Sequence, residues 1–194
     1  MKKTKLVNYI FILSAIIISL SGCSSFTDGK GLGVNYDRRT AGTILDDQGL
    51  SMRADTILAK DKELWQSKCH INTLSYNNSI LLVGQAPTDE LKERAATLLH
   101  RFVPQDQIYN QITVENPTSL TARAKDTWIT TQVKGKILAN KNIGVNRVKI
   151  VTENGIVFLM GILTKDEENI VTDLASQTSG VKQVIKIITE HDNN

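Results

Sequence analysis

Cysteine and histidine are scarce in this chain: two Cys and three His among 194 residues. That leaves too few soft ligands for a zinc cluster and no basis for a disulfide scaffold. Catalytic signatures are missing as well. His70, His100 and His191 share no motif, and neither a Gly-x-Ser-x-Gly elbow nor a His-Glu-x-x-His pair occurs. The longest apolar run, Leu6 to Leu20, falls short of the roughly 20 residues of a spanning helix. The formal net charge is only +3, too small to point to nucleic acid. With 41% hydrophobic and 22% charged residues, the composition suits a globular body.

The ends of the apolar run are informative. Lys2, Lys3 and Lys5 precede it, and Leu20-Ser21-Gly22-Cys23 follows. A basic start, a short apolar core and small residues at the end describe an export signal. The closing tetrapeptide resembles a bacterial lipobox. That resemblance implies cleavage after Gly22 and a diacylglycerol on Cys23, with Ser24 favouring the outer membrane. Residues 1–22 are therefore expected to be a cleaved lipoprotein signal. Losing its three lysines leaves twenty bases against twenty acids. Cys69 is then the one unlipidated thiol and reads as a half-buried small side chain. Residues 23–46, rich in Gly, Ser and Asp, read as a flexible tether.

The remainder is duplicated. Ile71–Gly84 (INTLSYNNSILLVG) matches Val148–Gly161 (VKIVTENGIVFLMG) at an offset of 77 positions. In each copy a Pro-free stretch of helical spacing, Met52–Trp65 or Thr127–Leu138, precedes the match. Asn77-Asn78 and Asn154-Gly155 suit tight hairpin turns. Helices are expected over Thr88–Phe102 and Lys165–Thr178, with Asp89-Glu90 and Asp166-Glu167-Glu168 at their starts complementing the dipole. Ile108–Val114 and Val184–Glu190 close the units as strands. The order αββαβ predicts an α+β fold: two small domains, 47–116 and 125–193, each a three-stranded mixed sheet with both helices on one face. Gly84 and Gly161, at the ends of the second strands, mark close backbone approach.

A duplicated αββαβ unit with Leu81-Leu82-Val83-Gly84 and Val157-Phe158-Leu159-Met160-Gly161 on the second strands resembles the BON domain. Two such domains behind a lipobox resemble the dual BON-domain outer-membrane lipoproteins. Asp126-Thr127-Trp128-Ile129-Thr130-Thr131, Thr152-Glu153-Asn154-Gly155 and Ser179-Gly180-Val181-Lys182 carry the likeness, and Asp37-Arg38-Arg39-Thr40 looks like the family's tether. The resemblance implies a non-enzymatic adaptor without cofactor or metal. It implies a protein on the periplasmic face of the outer membrane, enriched at the division site, where it supports envelope integrity. It implies binding of anionic phospholipid of the phosphatidylglycerol kind through the first helix of the second domain. It also implies links to septal amidase-activating and β-barrel assembly proteins.

Charge and periodicity bear on that site independently. Residues 46–116 carry seven bases and ten acids, whereas 117–194 carry ten bases and eight acids. Within residues 123–149 seven bases stand against Asp126 alone. At about 100° per residue, Ile129, Val133 and Ile137 share a core-facing side. Trp128, Thr131, Gln132, Gly135 and Leu138 fall on the opposite arc, flanked by Lys134 and Lys136. An indole between lysines suits an anionic headgroup layer. Gly135 is an unfavourable residue for a helix centre. The same residues also read as a solvated face with Trp128 in a core or domain contact. Alternatively, the surface docks an envelope protein and only Cys23 meets the membrane. Trp65, without a basic frame, reads as packing.

Overall fold

A computed structural model describes residues 39–144 and 146–191. The signal segment, Cys23 and the tether up to Arg38 lie outside the described residues. The first repeat begins with α1 (Ala41–Lys60), a short α2 (Lys62–Gln66), β1 (His70–Tyr76) and β2 (Ser79–Ala86). It continues with α3 (Asp89–Leu99) and β3 (Ile108–Val114). The second comprises α4 (Leu120–Ala139), β4 (Val148–Glu153), β5 (Ile156–Leu163), α5 (Lys165–Ser176) and β6 (Gln183–Glu190). The expected αββαβ order holds in both, with α2 added to the first.

The first helices start earlier than their apolar spacing predicts, α1 at Ala41 rather than Met52 and α4 at Leu120 rather than Thr127. The reason is local. The Thr40 hydroxyl accepts from the Thr43 N–H and the Ser119 hydroxyl from the Ala122 N–H, so each helix is capped upstream of its first core residue. Residues 41–46, read from composition as tether, are thus helical. Thr164 and Glu167 form a capping box at α5, satisfying two orphan N–H groups reciprocally.

Each sheet runs in the order first, second, third strand. β1 and β4 pair antiparallel with β2 and β5, and β3 and β6 pair parallel with the same central strands. A parallel partner needs a crossover, which α3 and α5 supply. The hairpin turns lie at positive φ, with Asn77 at 50°, Asn78 at 64°, Asn154 at 50° and Gly155 at 79°, the twist of a two-residue primed turn. Gly84 and Gly161 are required for a shared reason. A Cβ on Gly84 would stand 2.0 Å from the His70 carbonyl oxygen, and one on Gly161 would stand 2.4 Å from that of Arg147. Gly84 adds a φ of 126°.

Three apolar clusters result. One lies under α1 and α3, around Ala54, Leu58, Leu82 and Leu99. A second lies under α4 and α5, around Ile129, Val133, Leu159 and Val171. The third belongs to neither repeat alone: Tyr76, Leu81 and Val83 pack on Phe158 and Met160. The helix-free faces of the two sheets therefore meet, which explains why the central strands are apolar on both sides. Both repeats fall within one compact unit.

Polar bonds tie the same seam. Tyr76 Oη donates to the Arg147 carbonyl at 2.7 Å, and Lys149 Nζ to the Ser75 carbonyl at 2.6 Å. Buried Glu153 accepts from Asn72 at 3.1 Å and from Gln85 at 2.9 Å. Arg39, the described end of the tether motif, is buried here rather than free. Its guanidinium donates to Asp47 at 2.7 Å and to the Asn146 carbonyl at 2.9 Å, and lies 3.8 Å from the Tyr76 ring centre.

Candidate membrane-facing site

Helix α4 presents the two faces that its periodicity predicts. Ile129, Val133 and Ile137 are buried against the second sheet. On the opposite arc Trp128 is 49% and Leu138 62% exposed. Thr131, Gln132 and Gly135 are exposed between them. Beyond its own helix, a Cβ on Gly135 would meet nothing within 4 Å among the described residues, so the arc is open at its middle. The predicted residues are brought together on one surface, and Trp128 is not a core residue.

The helix is held at both ends. Asp126, buried on the inner side, accepts from the Asn154 and Gly155 N–H groups at 2.9 and 2.8 Å. It thereby locks the first turns of α4 to the β4–β5 hairpin. Thr130 donates to Thr152 at 2.8 Å. At the far end Lys136 Nζ donates to the Gln177 carbonyl at 3.0 Å. Lys134 is exposed on the other flank of the arc.

The basic segment is less uniform in space than in sequence. Arg147 pairs with Glu167 at the start of α5, and Lys149 is spent on the domain seam. Burial pushes the Lys149 ammonium below its ordinary value, opposed by the nearby Asp47 carboxylate. The bases that face solvent on this side are Lys125, Lys134 and Lys141, with Lys136 half-buried. A run of seven bases therefore yields a patch of about half that number. Of the rest, Lys149 is taken by the seam, Arg147 by Glu167, and Arg123 lies half-buried on the side of α4 turned toward the first domain.

Trp65 departs from the reading of it as packing. It is 74% exposed on α2. It borders a hollow of about 390 Å³ together with Leu58, Ala59, Leu64, Cys69 and Ile71. Cys69 is half-buried, and burial pushes its thiol up, away from the reactive thiolate.

Sequence reasoning missed two groups. Asp47 repeats the Asp126 device in the first domain, accepting from Asn77 and Asn78 at 2.9 and 3.0 Å. The signal was present, since the two Asp are 79 residues apart and the hairpins they hold 77 apart. The stretch from Asp to turn in the first repeat, which contains α2, is two residues longer, so a search at one offset passes over the pair. Arg123 was counted in the charge but given no role. Among the described residues no group of three or more His, Cys, Asp or Glu could hold a metal ion, and no helix is long and apolar enough to cross a membrane.

Comparison with known proteins places this geometry. The family model described as "BON domain" matches residues 46–116 and 125–190. The chain is 37% identical over 179 residues to the Outer membrane lipoprotein DolP of Haemophilus influenzae, covering 91% of this chain and 92% of that protein. It is 39% identical over 152 residues to the 21 kDa hemolysin of Actinobacillus pleuropneumoniae, covering 78% of each.

Proposed function

We propose, from the premise that this chain belongs to the BON-domain family as a two-domain protein of the DolP type, that it is a non-enzymatic outer-membrane adaptor. Cys23 anchors it to the membrane by lipidation, and the exposed arc of α4 reads anionic phospholipid. The likeness to an outer membrane lipoprotein over nearly its whole length supports the address. In this reading the protein supports envelope integrity and remodelling at the division site.

The observation that carries the lipid site is the pairing of an outward Trp128 and Leu138 with Lys134 on a helix whose opposite face is fully committed to the core. Indole favours the headgroup layer. Each nearby lysine adds about 1 kcal/mol of attraction to an anionic surface. Vesicle flotation tests it. Trp128→Glu is expected to weaken binding to anionic vesicles by at least about tenfold, since embedding even half an indole is worth ~2 kcal/mol. Unchanged binding by a folded variant rejects the site.

A second reading has its own observation. Trp65, on the acidic first domain and beside a hollow, is a surface feature suited to a protein partner. In that reading the chain docks an amidase activator or a β-barrel assembly component, and membrane contact comes from Cys23. Loss of partner crosslinking in Trp65→Ala, with vesicle binding intact, favours it.

A further inference from the structure

Helix α4 has a third face, turned toward the first domain. Arg123, Thr127, Thr131 and Lys134 line one wall of a cleft of about 530 Å³. His70, Asn72 and Leu74 of β1 and the outer residues of β4 line the rest. The cleft exists only because the two sheets pack face to face, so neither domain carries it alone.

Arg123 is the group there whose chemistry is unspent. Its Nε is buried and no acceptor among the described residues reaches it. Among the described residues the guanidinium has no hydrogen-bond or ion-pair partner. Arg39 also has a buried Nε without a partner among the described residues, but its terminal nitrogens are used on Asp47 and the Asn146 carbonyl. The two carboxylates that line the cleft are occupied. Asp126 accepts from the β4–β5 turn, and Glu153 accepts from Asn72 and Gln85. They favour a cation nearby without taking its donors. A guanidinium is permanently charged and offers five donors in a planar fork suited to phosphate or carboxylate oxygens.

The threonines supply the complementary half. Thr127 donates its hydroxyl proton to the Arg123 carbonyl at 3.0 Å, and Thr131 donates to the Thr127 carbonyl at 2.9 Å. With the proton committed, each oxygen of these cleft-lining residues keeps its lone pairs for accepting. Acceptors of this kind suit the hydroxyl groups of a ligand.

We propose that this cleft binds a phosphate ester of a small polyol, the phosphate on the Arg123 fork and the hydroxyls on the threonine oxygens. Lys134 lies eleven residues along α4, about 16 Å by helix rise, toward the other end of the same wall. Lys134 and Thr131 join the cleft to the exposed arc. The same chemistry is found on the phosphoglycerol headgroup of a membrane lipid and on free glycerol phosphate. As a headgroup pocket the cleft rests on the lipid reading of α4; as a site for a soluble ester it does not.

Arginine side-chain NMR on the full chain in zwitterionic detergent micelles tests the proposal. Titration with glycerol phosphate is expected to move the Arg123 Nε–H signal saturably, inorganic phosphate to move it more weakly, and glycerol to leave it in place. Arg123→Gln is expected to lower the glycerol phosphate affinity roughly tenfold, with Arg123→Lys recovering part. A shift produced by vesicles of phosphatidylglycerol but by no soluble ester assigns the headgroup as the source. The lipid reading fails separately: Trp128→Glu with undiminished vesicle binding sinks that reading while a titrating Arg123 keeps this one. An Arg123 signal unmoved by esters and vesicles alike, or wild-type affinity in a folded Arg123→Gln, overturns the proposal.

Discussion

Helices α1 and α4 are the same device on the inside and different on the outside. Each is 20 residues long and hydroxyl-capped, and each carries a buried Asp that takes the backbone N–H groups of its hairpin turn. Outward, α1 shows Leu45 and Met52, at 66% and 70% exposure, in the acidic repeat. Helix α4 shows Trp128 and Leu138 among lysines. The interior cannot diverge without losing the hairpin, whereas the exterior is limited only by solubility. A duplicated fold thus keeps its scaffold twice while its two outer helix faces differ.

The comparison breaks most sharply at the paired aspartates. Asp47→Ala strands Arg39 in a buried seam as well as releasing the first hairpin, and is expected to cost about 3–5 kcal/mol. Asp126→Ala, whose partners are neutral N–H groups, is expected to cost about 1–3 kcal/mol. Urea unfolding of the two variants measures the difference, and equal losses contradict a special role for Arg39. The glycines come next. Gly84→Ala must absorb both a positive φ and a carbonyl clash, about 3 kcal/mol or more. Gly161→Ala faces the clash alone, about 1–3 kcal/mol. Thermal melts are expected to rank them in that order.

The outer faces are compared by vesicle binding. Trp128→Glu weakens it and Trp65→Glu leaves it alone under the lipid reading; the reverse order moves the membrane contact to the first domain. Smaller effects come from the mid-helix glycines, since neither Gly49 nor Gly135 has an atom within 4 Å of its added Cβ. Alanine at either is expected to stabilise by about 0.5–1 kcal/mol, read from the urea midpoint. A loss of vesicle binding in Gly135→Ala alone shows that the lipid arc needs a pliable helix.

The smallest effect concerns His70. Burial holds this imidazole below its ordinary 6.5, against the pull of Glu153 at 3.9 Å. The folded state therefore binds the proton less readily than the unfolded chain. The stability tied to neutral His70 is complete above pH 6.5 and is lost as pH falls from there through the lowered folded-state value. His70→Asn is expected to flatten the melting temperature in that window. An unchanged slope places the acid sensitivity elsewhere.

Several features were legible because they depend on neighbours along the chain. The Asn-Asn and Asn-Gly turns, the third strand at Ile108–Val114 and the arc around Trp128 follow from local backbone preference and helical period. The starts of α1 and α4 were not, because a capping Thr or Ser in a Gly- and Asp-rich stretch resembles a linker until its hydroxyl is seen accepting an N–H. Trp65 misled because an indole can serve core and surface equally. The charge of the 123–149 segment misled because a count ignores which bases a sheet edge absorbs.

By itself the sequence determined the repeat, the αββαβ order and the outward side of α4. Period and turn chemistry are properties of adjacent residues, and a matched repeat carries them twice. Only the tertiary structure decided that the two sheets meet face to face. It also decided that Arg39, Lys149 and Glu153 serve that seam, and that Arg123 is left with its donors unspent in a cleft. Those outcomes depend on groups many tens of residues apart, where burial and partner geometry, not composition, determine what a charge can do.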